Sequence, residues 1–228
     1  MIIDFHAHIL PGADHGSQSR EITQKQLELI AAGGTDAVVA TPHFYPHRDS
    51  IGAFLTRRSA ALERLQRCRI PERLQIFLGA EVQACEGLCE LEELESLCVR
   101  GTNVILLEMP FGEWSRRLID SVMTIAELGF HPVLAHIDRY PRKRIEPLLA
   151  RGIDAQLNAE AFMGFFARRR AGRYLSGGHV VALGSDLHGA ADDGYAHFVR
   201  MREHLGEEAD RVLARTAALL ENAKNLTR

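Results

Sequence analysis

Short aliphatic and β-branched runs alternate with stretches of helical period along the whole chain. Residues 2–5, 37–40, 75–80, 104–107, 133–135, 154–157 and 180–184 are predicted as strands. Between them, residues 116–128 carry Leu118, Val122, Ile125 and Leu128 at three- and four-residue spacing, which predicts a helix with one buried stripe. Gly33, Gly129 and Gly152 fall just past predicted helix ends, where a left-handed residue is wanted, and each precedes a strand. Strand–helix alternation of this kind implies parallel strands joined by helical crossovers. Seven such strands make an α/β fold, either an open doubly wound sheet or a closed barrel. No phosphate-binding glycine fingerprint follows the first strand, which disfavours a dinucleotide-binding domain. With no repeat, low-complexity segment or linker, residues 1–228 are expected to form one domain.

Composition narrows this further. The chain has 228 residues, 46% hydrophobic and 25% charged, as expected of a globular domain with a sizeable core. A net charge of -3 gives no basic excess to argue for nucleic acid. No stretch approaches the roughly 18 apolar residues of a membrane helix. Asp4, His6 and His8 interrupt the place where a leader's apolar segment would lie. Four cysteines in this length fit a reducing compartment, so the expected location is cytoplasmic.

The chemistry lies in eleven histidines and their placement. His6 and His8 end the first predicted strand, and His43 follows the second in Thr41-Pro42-His43. Glu81 ends the third, Glu108 the fourth and His136 the fifth; Asp186 and His188 end the seventh. Possible metal ligands thus sit at the carboxyl ends of six of the seven strands, the edge where parallel α/β folds build their sites. Period-two spacing puts Asp4, His6 and His8 on one strand face, and Asp186 with His188 on another. A mixed imidazole and carboxylate set suits zinc, manganese or iron rather than calcium. Glu108, between Leu107 and Met109, has no neighbouring cation in sequence and needs a partner. His131, His179, His197 and His204 read as ordinary histidines. No C-x5-R loop, G-x-S-x-G elbow or P-loop is present. Cys85-x3-Cys89 is expected to be helix packing, and Arg168-Arg169-Arg170 a solvated helix face.

The ordered motifs Asp4-Phe-His6-Ala-His8, Thr41-Pro-His43, Gly79-Ala-Glu81, Leu107-Glu108, Ala135-His136-Ile-Asp-Arg139-Tyr140 and Ser185-Asp186-Leu-His188 together resemble the polymerase and histidinol phosphatase (PHP) superfamily. Ile9-Leu10-Pro11-Gly12 and Glu221-Asn222 extend the similarity to nearly the whole chain. Within that superfamily the chain is most similar to bacterial manganese-dependent protein-tyrosine phosphatases of capsule and exopolysaccharide synthesis. The resemblance implies a distorted seven-stranded, TIM-like β/α barrel with three divalent ions in its mouth, expected to be Mn2+, with iron or zinc as alternatives. By that pattern His6, His8, Glu81 and Asp186 hold one ion. Glu81 bridges to a second, shared with Glu108 and His136, and His15, His43 and His188 hold the third. Two departures matter. Asp14-His15-Gly16 stands where the branch commonly has Asp-Asp-Gly, which leaves Asp14 as an alternative ligand. Residues 189–194 contain none of the arginines that usually follow the Ser-Asp-x-His motif. Arg139 is therefore the expected phosphate clamp, alone or with Arg48.

Three divalent ions outweigh the charges of Glu81, Glu108 and Asp186, leaving a cationic pocket suited to a phosphate dianion. The expected reaction is hydrolysis of a phosphomonoester by a metal-bound hydroxide, with Glu81 and Asp186 acting through the ions. Arg139 would bind the remaining oxygens through its planar fork. The implied substrate is phosphotyrosine on a protein, the tail of a bacterial tyrosine kinase, received near Arg142, Lys143 and Arg144. The alternatives are a small-molecule phosphatase of the histidinol phosphate type and a non-catalytic, metal-binding phosphotyrosine-docking regulator.

Overall fold

The computed structural model describes residues 1–190 and 194–226. In chain order it has β1 (Ile3–Ala7), α1 (Arg20–Ala32), β2 (Ala37–Ala40), β3 (His43–Phe44), α2 (Ile51–Leu65), β4 (Gln75–Leu78), β5 (Glu81–Gln83) and β6 (Val104–Glu108). Then come α3 (Arg116–Glu127), β7 (His131–Leu134), α4 (Arg142–Leu149), β8 (Asp154–Asn158), α5 (Phe165–Ser176), β9 (Val180–Gly184), α6 (Gly194–Leu205) and α7 (Glu207–Leu219). All the ladders between these strands are parallel, as the strand–helix alternation predicts.

The α/β architecture with parallel strands is as expected, but the strands form two sheets rather than the one distorted seven-stranded barrel that the resemblance implies. They make a three-stranded sheet, β1-β2-β4, and a six-stranded sheet, β3-β5-β6-β7-β8-β9. Two predicted strand regions cause the difference. Pro42, which has no N–H for a ladder, separates β2 from β3, and Gly79-Ala80 separates β4 from β5. After each break the chain continues in the other sheet. The junction stays bonded, since Gly79 N donates to Ala40 O (2.9 Å) and Glu81 N to Pro42 O (3.1 Å). On the other side β1 and β9 share no ladder. An isolated parallel bridge between Ala7 and Leu187 lies there, with Asp186 N donating to His6 O (2.7 Å).

Serines set the starts of the first three helices. Ser19, Ser50 and Ser115 accept from the backbone N–H of Ile22, Ala53 and Leu118. Leu118, Val122 and Ile125 of α3 are buried as their spacing predicts, but α3 stops at Glu127 and Leu128 is 58% exposed. Gly129 and Gly152 take the expected positive φ; after α1 it is Gly34 (φ +72°) that does so. Gly33 is needed for a different reason, because a Cβ there would lie 2.6 Å from the ring of Tyr195.

One apolar cluster gathers Ile3, Phe5, Val39, Phe77, Leu106, Val133 and Ala182 from successive strands against Leu213 and Leu220. A larger one packs helices α1 to α7 on the strands. Cys89 lies in a single 3-10 turn, Leu88–Glu90, rather than in the expected α-helix. Its backbone N–H donates to Ser121 Oγ of α3. Among the described residues no helix is long and apolar enough to cross a membrane.

Candidate metal centre

Glu81, the first residue of β5, lies where the two sheets meet, and is buried. Its Oε2 lies 3.1 Å from His6 Nε2, 3.2 Å from His8 Nε2 and 3.0 Å from His43 Nδ1. Its Oε1 lies 2.8 Å from His136 Nε2. Asp186 brings Oδ1 to 3.5 Å from His6 Nε2 and 3.3 Å from His8 Nε2, while Glu108 Oε1 is 3.8 Å from His136 Nε2. The ligand atoms of His6, His8, Glu81 and Asp186 all fall within 4.8 Å of one another. The same holds for His43, Glu81 and Glu108, and for His8, His43 and His188. His15 is exposed at the rim, its ring stacked on His43 and on His188, each at 4.8 Å between centroids.

This arrangement fits divalent metal. Glu81 Oε2 and His43 Nδ1 are buried 3.0 Å apart, yet neither has a partner in hydrogen-bonding geometry. His6 Nε2 and His8 Nε2 approach to 3.1 Å, a distance at which both cannot carry protons without repulsion. A cation shared among them relieves both problems, and the nitrogen–oxygen donor set is the one manganese, iron and zinc accept.

A second layer of side chains orients these groups. Asp14 Oδ2 is 2.7 Å from His8 Nδ1 and accepts from His43 N (2.9 Å), while its Oδ1 accepts from Gly16 N (2.9 Å). Asp14 therefore stands behind His8, turning Nε2 of that ring toward Glu81, and His15 is the neighbour that reaches the rim. Gln156 Oε1 accepts from His136 N (2.7 Å) and lies 3.3 Å from His6 Nδ1. Asn158 Nδ2 donates to Asp186 Oδ2 (2.9 Å), which also accepts from Arg139 (2.6 Å). Asp4 shares a strand with His6 and His8 but belongs to no ligand group; it accepts from Ser185 N (2.9 Å) and Ser185 Oγ (2.6 Å). His136 (φ +32°) and Asp186 (φ +54°) both hold the left-handed backbone region that non-glycine residues avoid, a cost the surrounding contacts must offset.

Charge balance follows from burial. Burial alone would raise the Glu81 carboxyl, but the adjoining imidazoles, His6 first, hold it well below the usual range. Burial pushes His43 down to about 3 and Asp4 up to about 6. Glu108 is raised by burial and then by the Glu81 charge.

The ligands open into a cleft of about 400 Å3, walled also by Tyr45, Phe111, Arg139 and Glu160. Arg139 is about one-third exposed there (34%), able to meet a ligand while tied to Asp186. Arg48 lies over the Tyr45 ring (5.2 Å) and donates to His47 Nε2, lining an adjoining cleft with His15 and His43. Arg142 pairs with Glu146, and Arg144 with Glu113, so neither lines the metal-centre cleft. Of the residues after His188 that lack an arginine, Ala191, Asp192 and Asp193 lie outside the described residues. Sequence reasoning missed Gln156 and Asn158, although two amides at alternate positions of a buried strand are a legible signal. It also missed Tyr45, Phe111 and Glu160, which come from loops and turns without periodicity.

Comparison with known proteins agrees with this architecture. The family model described as "Capsular polysaccharide synthesis, CpsB/CapC" matches residues 2–226. Tyrosine-protein phosphatase CpsB of Streptococcus pneumoniae is 29% identical over 207 residues, covering 82% of this chain and 83% of that protein. Tyrosine-protein phosphatase YwqE of Bacillus subtilis is 27% identical, covering 100% of this chain and 92% of its own. A crystal structure from a study of YwqE and CpsB, described as unique metal-dependent tyrosine phosphatases, superposes with a TM-score of 0.75 at 21% identity, covering 98% of this chain and 96% of that one.

Proposed function

This chain belongs to the CpsB/CapC family of capsular polysaccharide synthesis, and from that premise we propose that it is a metal-dependent protein-tyrosine phosphatase. The observation that carries the reading is Glu81, one buried carboxylate within 3.2 Å of imidazole nitrogens from four histidines. With β2 and β3 taken as one broken strand and β4 and β5 as another, seven parallel segments contribute to the two sheets that meet at this cluster.

His6, His8, Glu81 and Asp186 would hold one divalent ion; Glu81, Glu108 and His136 a second; His15, His43 and His188 a third. Manganese is the proposed metal. When bound, such ions supply Lewis-acid stabilisation of phosphoryl charge and a nucleophile at neutral pH. The chain's own part is binding, orientation and desolvation. Arg139 offers N–H groups to phosphoryl oxygens, and its tie to Asp186 holds the guanidinium at the cleft. Asp14 keeps a proton on His8 Nδ1, leaving Nε2 as the donor atom. Tyr45 and Phe111 are placed to flank an aromatic ring and exclude water from it. No cysteine is assigned a role, since none is among the described residues lining the cleft, and burial raises the thiols of Cys68, Cys85 and Cys98. The proposed substrate is a phosphotyrosine segment of a bacterial tyrosine kinase.

The deciding experiment assays manganese-loaded protein on phosphotyrosine and phosphoserine peptides, p-nitrophenyl phosphate and histidinol phosphate. Rapid turnover of the two aryl esters is expected. Turnover of histidinol phosphate with a tenfold higher kcat/KM would reassign the protein as a small-molecule phosphatase. Binding of phosphotyrosine without any turnover would make it a docking protein.

A further inference from the structure

The arginine run Arg168–Arg170 takes on a different meaning once α5 is seen beside α4. Residues 141–179 carry eight Arg and Lys against three Asp and Glu, in a chain of net charge -3. The segment therefore carries a net charge of +5, while the remaining residues, with 19 Arg and Lys against 27 Asp and Glu, carry -8. Between the two helices lies a second cleft of about 500 Å3, lined by Arg142, Arg170, Arg173, Tyr174 and His179, with one acidic residue, Glu146, and the apolar Leu149. Tyr174 is 4% exposed, and its hydroxyl is buried with no hydrogen-bond partner. A buried hydroxyl without a partner costs stability, and Tyr174 is one of the residues that line the cleft. Arg142 shares its charge with Glu146, whereas among the described residues the Arg173 side chain bonds to the Arg169 carbonyl alone, at 3.4 Å. The cleft is joined to the candidate metal centre, since Arg170 donates to the carbonyl of Asp138, the residue before Arg139.

We propose that the α4–α5 cleft is an exosite for a carboxylate-rich peptide segment flanking the phosphotyrosine that enters the metal centre. The proposal rests on the phosphatase reading for its link to catalysis, but not for its binding chemistry. Acidic side chains complement the excess of arginine, a carboxylate can accept from the Tyr174 hydroxyl, and Leu149 gives apolar support to the peptide's aliphatic parts. Continuity through Asp138 and Arg139 explains why such a segment would belong to the same chain as the scissile group.

Two measurements test this. The first compares phosphotyrosine peptides bearing a four-glutamate run, placed two to ten residues from the phosphotyrosine on either side, with glutamine counterparts, at low and high salt. One placement should favour glutamate by about tenfold in kcat/KM through KM, and salt should erase the preference. An Arg142→Gln/Arg173→Glu variant should abolish it, and Tyr174→Phe should reduce it, while p-nitrophenyl phosphate turnover stays within twofold. The second measures binding of fluorescent, unphosphorylated Glu-rich and Gln-rich peptides, which needs no turnover. It separates failure of the exosite from failure of the phosphatase reading. Equal binding of the two peptides, or a glutamate preference that survives the double variant, would overturn the proposal. So would binding to phosphatidylglycerol vesicles through the same arginines without a peptide effect, which would assign this face, with exposed Phe165 and Phe166, to a lipid surface.

Discussion

At the scale of single residues, the centre divides into groups that meet a ligand and groups that hold them, and substitutions should separate the two. Replacing Arg139 by Ala removes a charge-assisted, two-pronged donor, expected to cost about 2–4 kcal/mol, or on the order of 30- to 1,000-fold in kcat/KM. Arg139→Lys should recover little, because an ammonium cannot reproduce the planar fork. An Arg139→Ala enzyme within twofold of wild type in steady-state assays would exclude the role. Asp14→Ala should act differently, loosening His8 and lowering metal affinity about 10- to 100-fold, as read by equilibrium dialysis. An unchanged metal content and affinity would remove Asp14 from the supporting layer. Glu81 and His6 were legible in the sequence because strand alternation fixes which way they face. Asp14 and His15 entered only through the family resemblance, because a turn has no such period, and only their packing shows that Asp14 lies behind His8.

At the scale of elements, sequence pattern located most of the strands but not where they break. Proline and glycine at residues 42 and 79 marked the breaks, yet nothing local tells a bend from a crossing into a second sheet. Period likewise found the α3 stripe and overran it by one residue. Ile125→Ala, deleting a fully buried side chain, should cost about 2–5 kcal/mol in urea denaturation. Leu128→Ala, at the exposed end of the pattern, should stay within about 0.5 kcal/mol. Equal losses would place Leu128 in the core after all. The carboxyl end of β9 is constrained more tightly than its sequence suggests. A Cβ on Gly184 would lie 2.6 Å from both His6 Cβ and Gln156 Nε2. Gly184→Ala should therefore cost about 1–3 kcal/mol by overpacking and also weaken metal binding, since it pushes on a ligand and its supporting amide. A destabilised protein with undiminished metal affinity would show that β8 and β9 can shift without moving His6.

At the scale of the whole molecule, the proposed chemistry predicts how the protein treats different leaving groups. Loss of metal comes first: chelation should abolish turnover and lower Tm. Excess manganese at a thousandfold over its Kd should restore about 4 kcal/mol of stability by mass action. The leaving group then discriminates among mechanisms. A tyrosine phenol has a pKa of about 10, while an alkyl alcohol lies several units higher, nearer water at about 15.7. Phenolate can depart almost unprotonated, whereas an alkoxide needs an acid. Among the described residues of the cleft, the proposed metal sites engage every carboxyl except Glu160, which lies at the wall beside Phe111 and Arg139. If no acid operates, log kcat/KM for substituted phenyl phosphates should fall steeply as the phenol pKa rises, and alkyl phosphates should be the poorest substrates. Glu160→Gln should leave that slope unchanged. A shallow slope that steepens in Glu160→Gln, with the loss greatest for the least acidic phenols, would instead make Glu160 the proton donor. The site would then be equipped for alkyl esters as well, and the preference for phosphotyrosine would have to come from Tyr45, Phe111 and the α4–α5 cleft rather than from the chemistry of the leaving oxygen.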